Sequence, residues 1–158
     1  PYVTIMVGRM DDQLKRIRAS EGIDADSEAI EWGGVAVFKN AAGIFRERGY
    51  AGTLLAAAYR NQLQWSEIIG PDVLQSIPYG WWTQFNEADE VPRSSLGEPM
   101  NEQILNQLMK FDDFKRGYNE DGMPPEEFVH YGPSIHTIKQ FIEGYEGLLG
   151  DVRALMLV

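Results

Sequence analysis

The sequence predicts an α/β protein built on a parallel sheet, and three observations carry that prediction. Short apolar runs at residues 2–8, 53–58 and 73–77 have the length and side chains of strands. Segments of helical periodicity lie between them. The connections are short, so each strand–helix–strand step reads as a parallel βαβ unit.

Each element has its own warrant. Residues 2–8 are apolar at successive positions, which suits a strand covered on both faces of a parallel sheet. From Met10 to about Ser20, Leu14 and Ile17 among charges predict a short amphipathic helix. Residues 21–28 are a polar connector, with Asp26 or Ser27 as the N-cap of the next helix. That helix runs from Glu28 to Arg48, placing Phe38, Ala41, Ala42 and Phe45 on one face and stopping at Gly49. Thr53–Ala58 is the second strand, Leu63–Ile69 a brief helix, and Val73–Ile77 the third strand, closed by Pro78.

The second half changes character. Residues 79–99 read as a loop rich in turn formers that carries Trp81 and Trp82. A helix from Pro99 to Tyr118 is expected, with Pro99 in its first turn. "NEDGMPPEE" reads as a turn. A last helix from about Pro133 lines up Ile138, Phe141, Ile142, Tyr145, Leu148, Leu149 and Val152. Residues 1–158 are thus expected to be a single, partial domain. Within it, residues 1–78 form three βα units, and 79–158 supply a loop and C-terminal helices that pack on them. Three strands alone leave two unpaired edges. An (α/β)8 barrel or an open doubly wound sheet would supply the missing strands.

Composition narrows the function. The chain has 158 residues, 44% of them hydrophobic, with 14 basic against 24 acidic side chains and a formal charge of −10. That charge argues against a nucleic-acid partner or an anionic membrane surface. Any anion held here needs locally placed cations. There is no cysteine, which excludes thiolate chemistry and fits a reducing cytoplasm. The chain opens on Pro1 within an apolar segment, as a piece of something longer would.

Two arginines stand out. "YVTIMVGRMDD" ends its apolar run at Gly8 and Arg9, and "LLAAAYRN" delivers Arg60 at its tip. In parallel α/β folds, ligands sit beyond the carboxyl ends of the strands. Consecutive strands lie about 4.8 Å apart when paired, so two guanidinium forks could close on one phosphate. Spacing alone leaves equally open that each arginine is neutralised by its own carboxylate.

The surrounding motifs add a resemblance. "VTIMVGRMDD" resembles the sixth-strand motif of transaldolases, Ser-Pro-Phe-Val-Gly-Arg followed by a hydrophobic residue and often Asp. "GYAGTLLAAAYRN" is similar to their seventh-strand motif, which ends Gly-Ala-Ser-Phe-Arg-Asn, and "EIIGPDVLQSIP" looks like the helix, turn and eighth strand that follow. The matching motifs span residues 4–78. The resemblance implies the C-terminal part of a TIM (β/α)8 barrel: strands six to eight plus the terminal helices. It implies that Arg9 and Arg60 bind substrate phosphate, that Thr4 and Met6 line the substrate site, and that Asn61 follows the second arginine. Ile5 stands in place of the family's proline, Met6 in place of its phenylalanine and Ala58 in place of its serine, so one hydroxyl donor is lost.

The implied chemistry is class I aldolase chemistry without a cofactor or metal. A lysine forms an iminium with a ketose phosphate, a three-carbon dihydroxyacetone unit is cleaved off, and an acceptor aldehyde takes it. A carboxylate relays protons. The five lysines, Lys15, Lys39, Lys110, Lys115 and Lys139, all fall in predicted helices or their flanks. The resemblance implies that the Schiff-base lysine lies upstream, on the fourth strand, and that this segment holds the phosphate clamp. Lys39 reads as a solvent-facing helix position. The remaining strands would come from the same protein or a partner chain, and a homo-oligomer is compatible with the open edges. An aldolase for a non-standard sugar and a non-catalytic half-barrel assembly module are the rival readings. His130 and His136 lack a metal-ligand spacing, and the acidic pairs at 11–12, 112–113 and 126–127 read as solvated helix starts.

Overall fold

The computed structural model describes residues 1–89 and 91–156. Strands β1 (Tyr2–Met6), β2 (Thr53–Ala57) and β3 (Val73–Gln75) form a parallel sheet in the order β1-β2-β3. Thr4 faces Leu55 and Met6 faces Ala57 across the first pair, and Ala56 faces Gln75 across the second. Helix α1 (Val7–Glu21), a short α2 (Ser27–Ile30) and α3 (Gly33–Arg48) connect β1 to β2, and α4 (Leu63–Ser66) connects β2 to β3. There follow α5 (Tyr79–Glu87), α6 (Glu102–Leu108), α7 (Asp112–Tyr118), a 3-10 helix at Pro125–His130 and α8 (Gly132–Met156). The α/β class and the parallel order match the sequence reading.

The chain divides into two compact units, Pro1–Gly122 and Met123–Val158. In the first, Val35, Phe38 and Ala42 of α3 pack over Leu54 and Ala56 of β2, joined by Val7, Tyr59, Ile68, Phe85 and Leu96. Each such large side chain contributes roughly 1.5–3 kcal/mol on burial. The sheet alternates accordingly: Leu54 and Ala56 are buried, while Leu55 and Ala57 on the other face are half-buried and Thr4 is exposed. Among the described residues of this unit, helices cover one face of the sheet, not two. The expectation of a β1 buried on both sides fails, with Tyr2 70% and Val3 43% exposed. An apolar run shows that a strand can be buried; it does not supply the neighbours that bury it.

Several boundaries shift. β1 ends at Met6 and α1 begins at once, so Gly8 and Arg9 lie in the first turn of a helix and not on a strand. The helix expected over 28–48 is interrupted after Ile30, and α3 starts at Gly33. The loop expected at 79–99 contains α5, because Trp81 and Phe85, one turn apart, share a buried face. Phe85 stacks on Trp65 at 4.9 Å and on Trp81 at 5.7 Å, whereas Trp82 is half exposed. The helix expected over 99–118 breaks at Phe111, whose extended backbone (φ −97°, ψ 122°) lets Leu108, Phe111 and Phe114 all bury completely. Asn101 caps α6, its side chain accepting from the Gln103 and Ile104 amides, and Asp112 and Asp113 open α7.

In the second unit the 3-10 helix occupies part of the expected turn, and α8 starts one residue earlier than the sequence suggests. Its apolar row is present and exposed, Phe141 at 65% and Tyr145 at 62%. His130 is exposed and His136 half-buried. No described helix is long and apolar enough to cross a membrane.

Candidate anion site at the carboxyl edge of the sheet

The segments that carry Arg9 and Arg60 leave the same edge of the sheet from paired strands. Met6 pairs with Ala57, and each arginine follows its member of that pair by three residues. The two segments are then drawn together closely. The Gly8 amide donates to the Ala58 carbonyl at 3.1 Å. A Cβ on Gly8 would overlap that carbonyl oxygen and come within 2.6 Å of Arg60 Cγ, so only glycine fits. Ala58 adopts φ +62°, a left-handed conformation that turns the chain after β2. Its carbonyl accepts from Gly8 and also from Arg60 Nη1 at 3.2 Å.

The two guanidinium groups are not equivalent. Arg60 Nε donates to Asp12 Oδ2 at 3.1 Å, Nη2 approaches the same oxygen at 3.0 Å, and Nη1 donates to the Ala58 and Tyr59 carbonyls at 3.2 and 3.0 Å. Those contacts occupy most of its five N–H donors. Arg9 differs: its Nε is buried and has no hydrogen-bond partner. It also sits in the first turn of α1, a 15-residue helix whose amino end favours an anion. Thr4 is exposed and Met6 half-buried on the neighbouring strand.

Behind the arginines lies a buried polar network that sequence reasoning missed. Asp11, read from sequence as part of a solvated helix start, is fully buried. Its Oδ1 accepts the Gly34 amide at 2.8 Å, and its Oδ2 accepts Gln64 Nε2 at 2.5 Å and Asn61 Nδ2 at 3.1 Å. Gln64 in turn accepts the Arg60 backbone amide at 2.6 Å, and Asn61 accepts the Gln64 amide at 3.1 Å while donating to the Glu31 carbonyl. Glycine is required where α3 enters, since a Cβ on Gly34 would overlap the Val7 carbonyl oxygen and lie 2.6 Å from its carbon. Burial pushes the Asp11 carboxyl up to about 8, and the Gly34 amide is first among the contacts that pull it back down. The one sequence signal for this network was the first of the two acidic residues after Gly8-Arg9, set against a paired glycine at 33–34.

The five lysines are all placed away from the strand ends. Lys15 pairs with Glu31 on the surface, Lys110 donates to the Asp24 carbonyl, Lys115 pairs with Asp112, and Lys139 lies along α8 near Glu143. Lys39 corrects its reading as solvent-facing. Its side chain is only 6% exposed, pairs with Glu67 at 3.3 Å and donates to the Glu98 carbonyl. A cavity lined by Phe45, Tyr50, Thr53, Pro71 and Val73 lies at the amino ends of the strands, the opposite edge from the arginines.

The fold is a parallel α/β sheet with two arginines in the segments that leave its carboxyl edge. The family model described as Transaldolase/Fructose-6-phosphate aldolase matches residues 1–151, and the chain belongs to that family. The match extends well past residue 78, where the motifs end, to cover the C-terminal helices. Among curated proteins and among solved structures, no match to the chain was found.

Proposed function

We propose that this chain supplies strands six to eight and the terminal helices of a (β/α)8 barrel, and that the complete barrel transfers a dihydroxyacetone unit between sugar phosphates. Aldolase-type activity follows from the family. The observation that carries the finer reading is the Gly8–Ala58 bond that joins the segments carrying Arg9 and Arg60 beyond neighbouring strands, together with the buried, unpartnered Nε of Arg9. The open face of the sheet, with Thr4 exposed and Met6, Leu55 and Ala57 half-buried, would become the barrel interior.

In this reading Arg9, at the amino end of α1, is the main ligand of the substrate phosphate. Arg60 contributes charge and its least-engaged N–H while its other donors hold the loop. Asn61, Thr4 and Met6 border the sugar. The Schiff-base lysine belongs to a strand upstream of this segment, since Lys15, Lys39, Lys110, Lys115 and Lys139 are all on or beside helices. Attack by that lysine on the ketose carbonyl expels water and gives an iminium. The iminium accepts the electron pair of the breaking carbon–carbon bond, leaving an enamine for the acceptor aldehyde.

Borohydride reduction of the complete protein with fructose 6-phosphate tests the chemistry: a covalent adduct on a lysine outside residues 1–158 is expected, and no adduct refutes it. A second reading, an aldolase acting on a different sugar, is favoured by Ala58, which brings no hydroxyl to the phosphate edge. Arg9→Ala separates the two. It should raise KM for phosphorylated substrates at least tenfold and leave unphosphorylated ones nearly unchanged.

A further inference from the structure

We propose that Asp11 is the positioning residue of the anion site: through Gln64 and Asn61 it fixes the loop that carries Arg60. This rests on the reading of that edge as the phosphate site. The direction of every bond can be worked out. Backbone amides can only donate, so the Arg60 amide fixes the oxygen of the Gln64 side chain toward itself. In the same way the Gln64 amide fixes the oxygen of Asn61. Both side-chain NH2 groups must then point at Asp11 Oδ2, while the Gly34 amide takes Oδ1. Asp11 is therefore used as an acceptor three times over, once by the first turn of α3 and twice by the segment that follows β2.

Asparagine cannot do this. With asparagine at position 11, an oxygen toward Gly34 turns an NH2 group against two other NH2 groups. Reversing it sets the NH2 against the Gly34 amide. Either way a buried donor loses its partner, which is costly. The loop between Ala58 and Gln64 holds Arg60 only while Gln64 is itself held. The consequence falls on ligand binding, because Arg60 must meet Asp12 and the ligand from one fixed backbone position.

The experiment measures inorganic phosphate and fructose 6-phosphate binding by calorimetry for wild type, Asp11→Asn, Gln64→Leu and Arg9→Ala. Asp11→Asn and Gln64→Leu should each weaken phosphate binding about tenfold to a hundredfold. Together they should weaken it no more than the worse of them, since they cut one relay. Wild-type affinity in either single variant overturns the positioning role, and so does full additivity in the double variant. If wild type binds no phosphate, or Arg9→Ala binds it unchanged, the site reading fails first and the inference falls with it. A purely structural role would lower the melting temperature without altering affinity below the melt. Should Asp11→Asn and Gln64→Leu both fail to fold, the side-chain amide resonances of Gln64 and Asn61 in wild type decide. Phosphate addition is expected to shift them, and unmoved resonances overturn the proposal.

Discussion

Arg60→Ala and Arg9→Ala should separate a structural arginine from a ligand-holding one. In the fold Arg60 makes three contacts with Asp12, at 3.3, 3.1 and 3.0 Å, and two with backbone carbonyls, at 3.2 and 3.0 Å. Fully buried, each charge-assisted bond would contribute about 1.5–3 kcal/mol. Arg60 and Asp12 keep 34% and 26% of their side chains exposed, so solvent returns much of that on truncation. A fully exposed pair would be worth only about 0–1 kcal/mol. Between those limits, and with Asp12 left without its cation, Arg60→Ala should cost about 2–4 kcal/mol. That corresponds to a fall in Tm of the order of 10 °C for a chain of this size. Arg9 has no such bonds to lose, and its buried Nε gains by removal. Arg9→Ala should stay within about 1 kcal/mol of wild type. Urea denaturation with matched m-values reads the first quantity, and phosphate calorimetry reads the loss of binding in Arg9→Ala. Equal destabilisation by the two substitutions, or an Arg60→Ala variant as stable as wild type, would refute the division of labour.

Gly8→Ala should be worse than either, because the methyl group meets the Ala58 carbonyl and Arg60 Cγ at once. A loss of about 3 kcal/mol or more is expected, seen as poor accumulation of folded protein or an early melt. Lys39→Met removes one partner of a pair with Glu67 that is 6% and 16% exposed, and should cost about 2–4 kcal/mol. Borohydride trapping in the complete protein should persist in that variant, and its loss would make Lys39 the nucleophile instead. The pH dependence follows from Asp11, whose carboxyl is raised from 3.8 to about 8 on folding. A raised folded value means the folded state binds the extra proton, so stability is fullest below pH 4 for this group. It is lost as pH rises toward 8, with a slope approaching about 1.4 kcal/mol per pH unit. Denaturation between pH 5 and 8 should show that slope in wild type and a flatter line in Asp11→Asn; parallel lines would contradict it.

What the sequence made legible was what local chemistry dictates. The parallel pairing of the first two strands could be read because parallel order follows from strand–helix–strand alternation, and the register bears that out, although Gly8 and Arg9 open α1 instead of ending β1. What it hid depends on partners far along the chain. β1 looked buried because Tyr2 to Val7 is apolar, yet burial is a property of neighbours, and the helices cover a single face. Residues 79–87 looked like a loop because Pro78 and Gly80 dominate the local signal. Their helix is fixed by Phe85 reaching Trp65 and Tyr59, contacts that periodicity over nine residues does not announce. Asp11 was the largest miss. An acidic residue early in a helix is ordinarily a solvated one, favoured by the helix dipole. Here the residues that take it out of water, Gly34, Asn61 and Gln64, lie 23, 50 and 53 positions away. The same distance in sequence explains its reach: a carboxyl group joined to residues so far apart can hold α1, the start of α3 and the stretch after β2 in one arrangement, which no cap or turn within a single element could do.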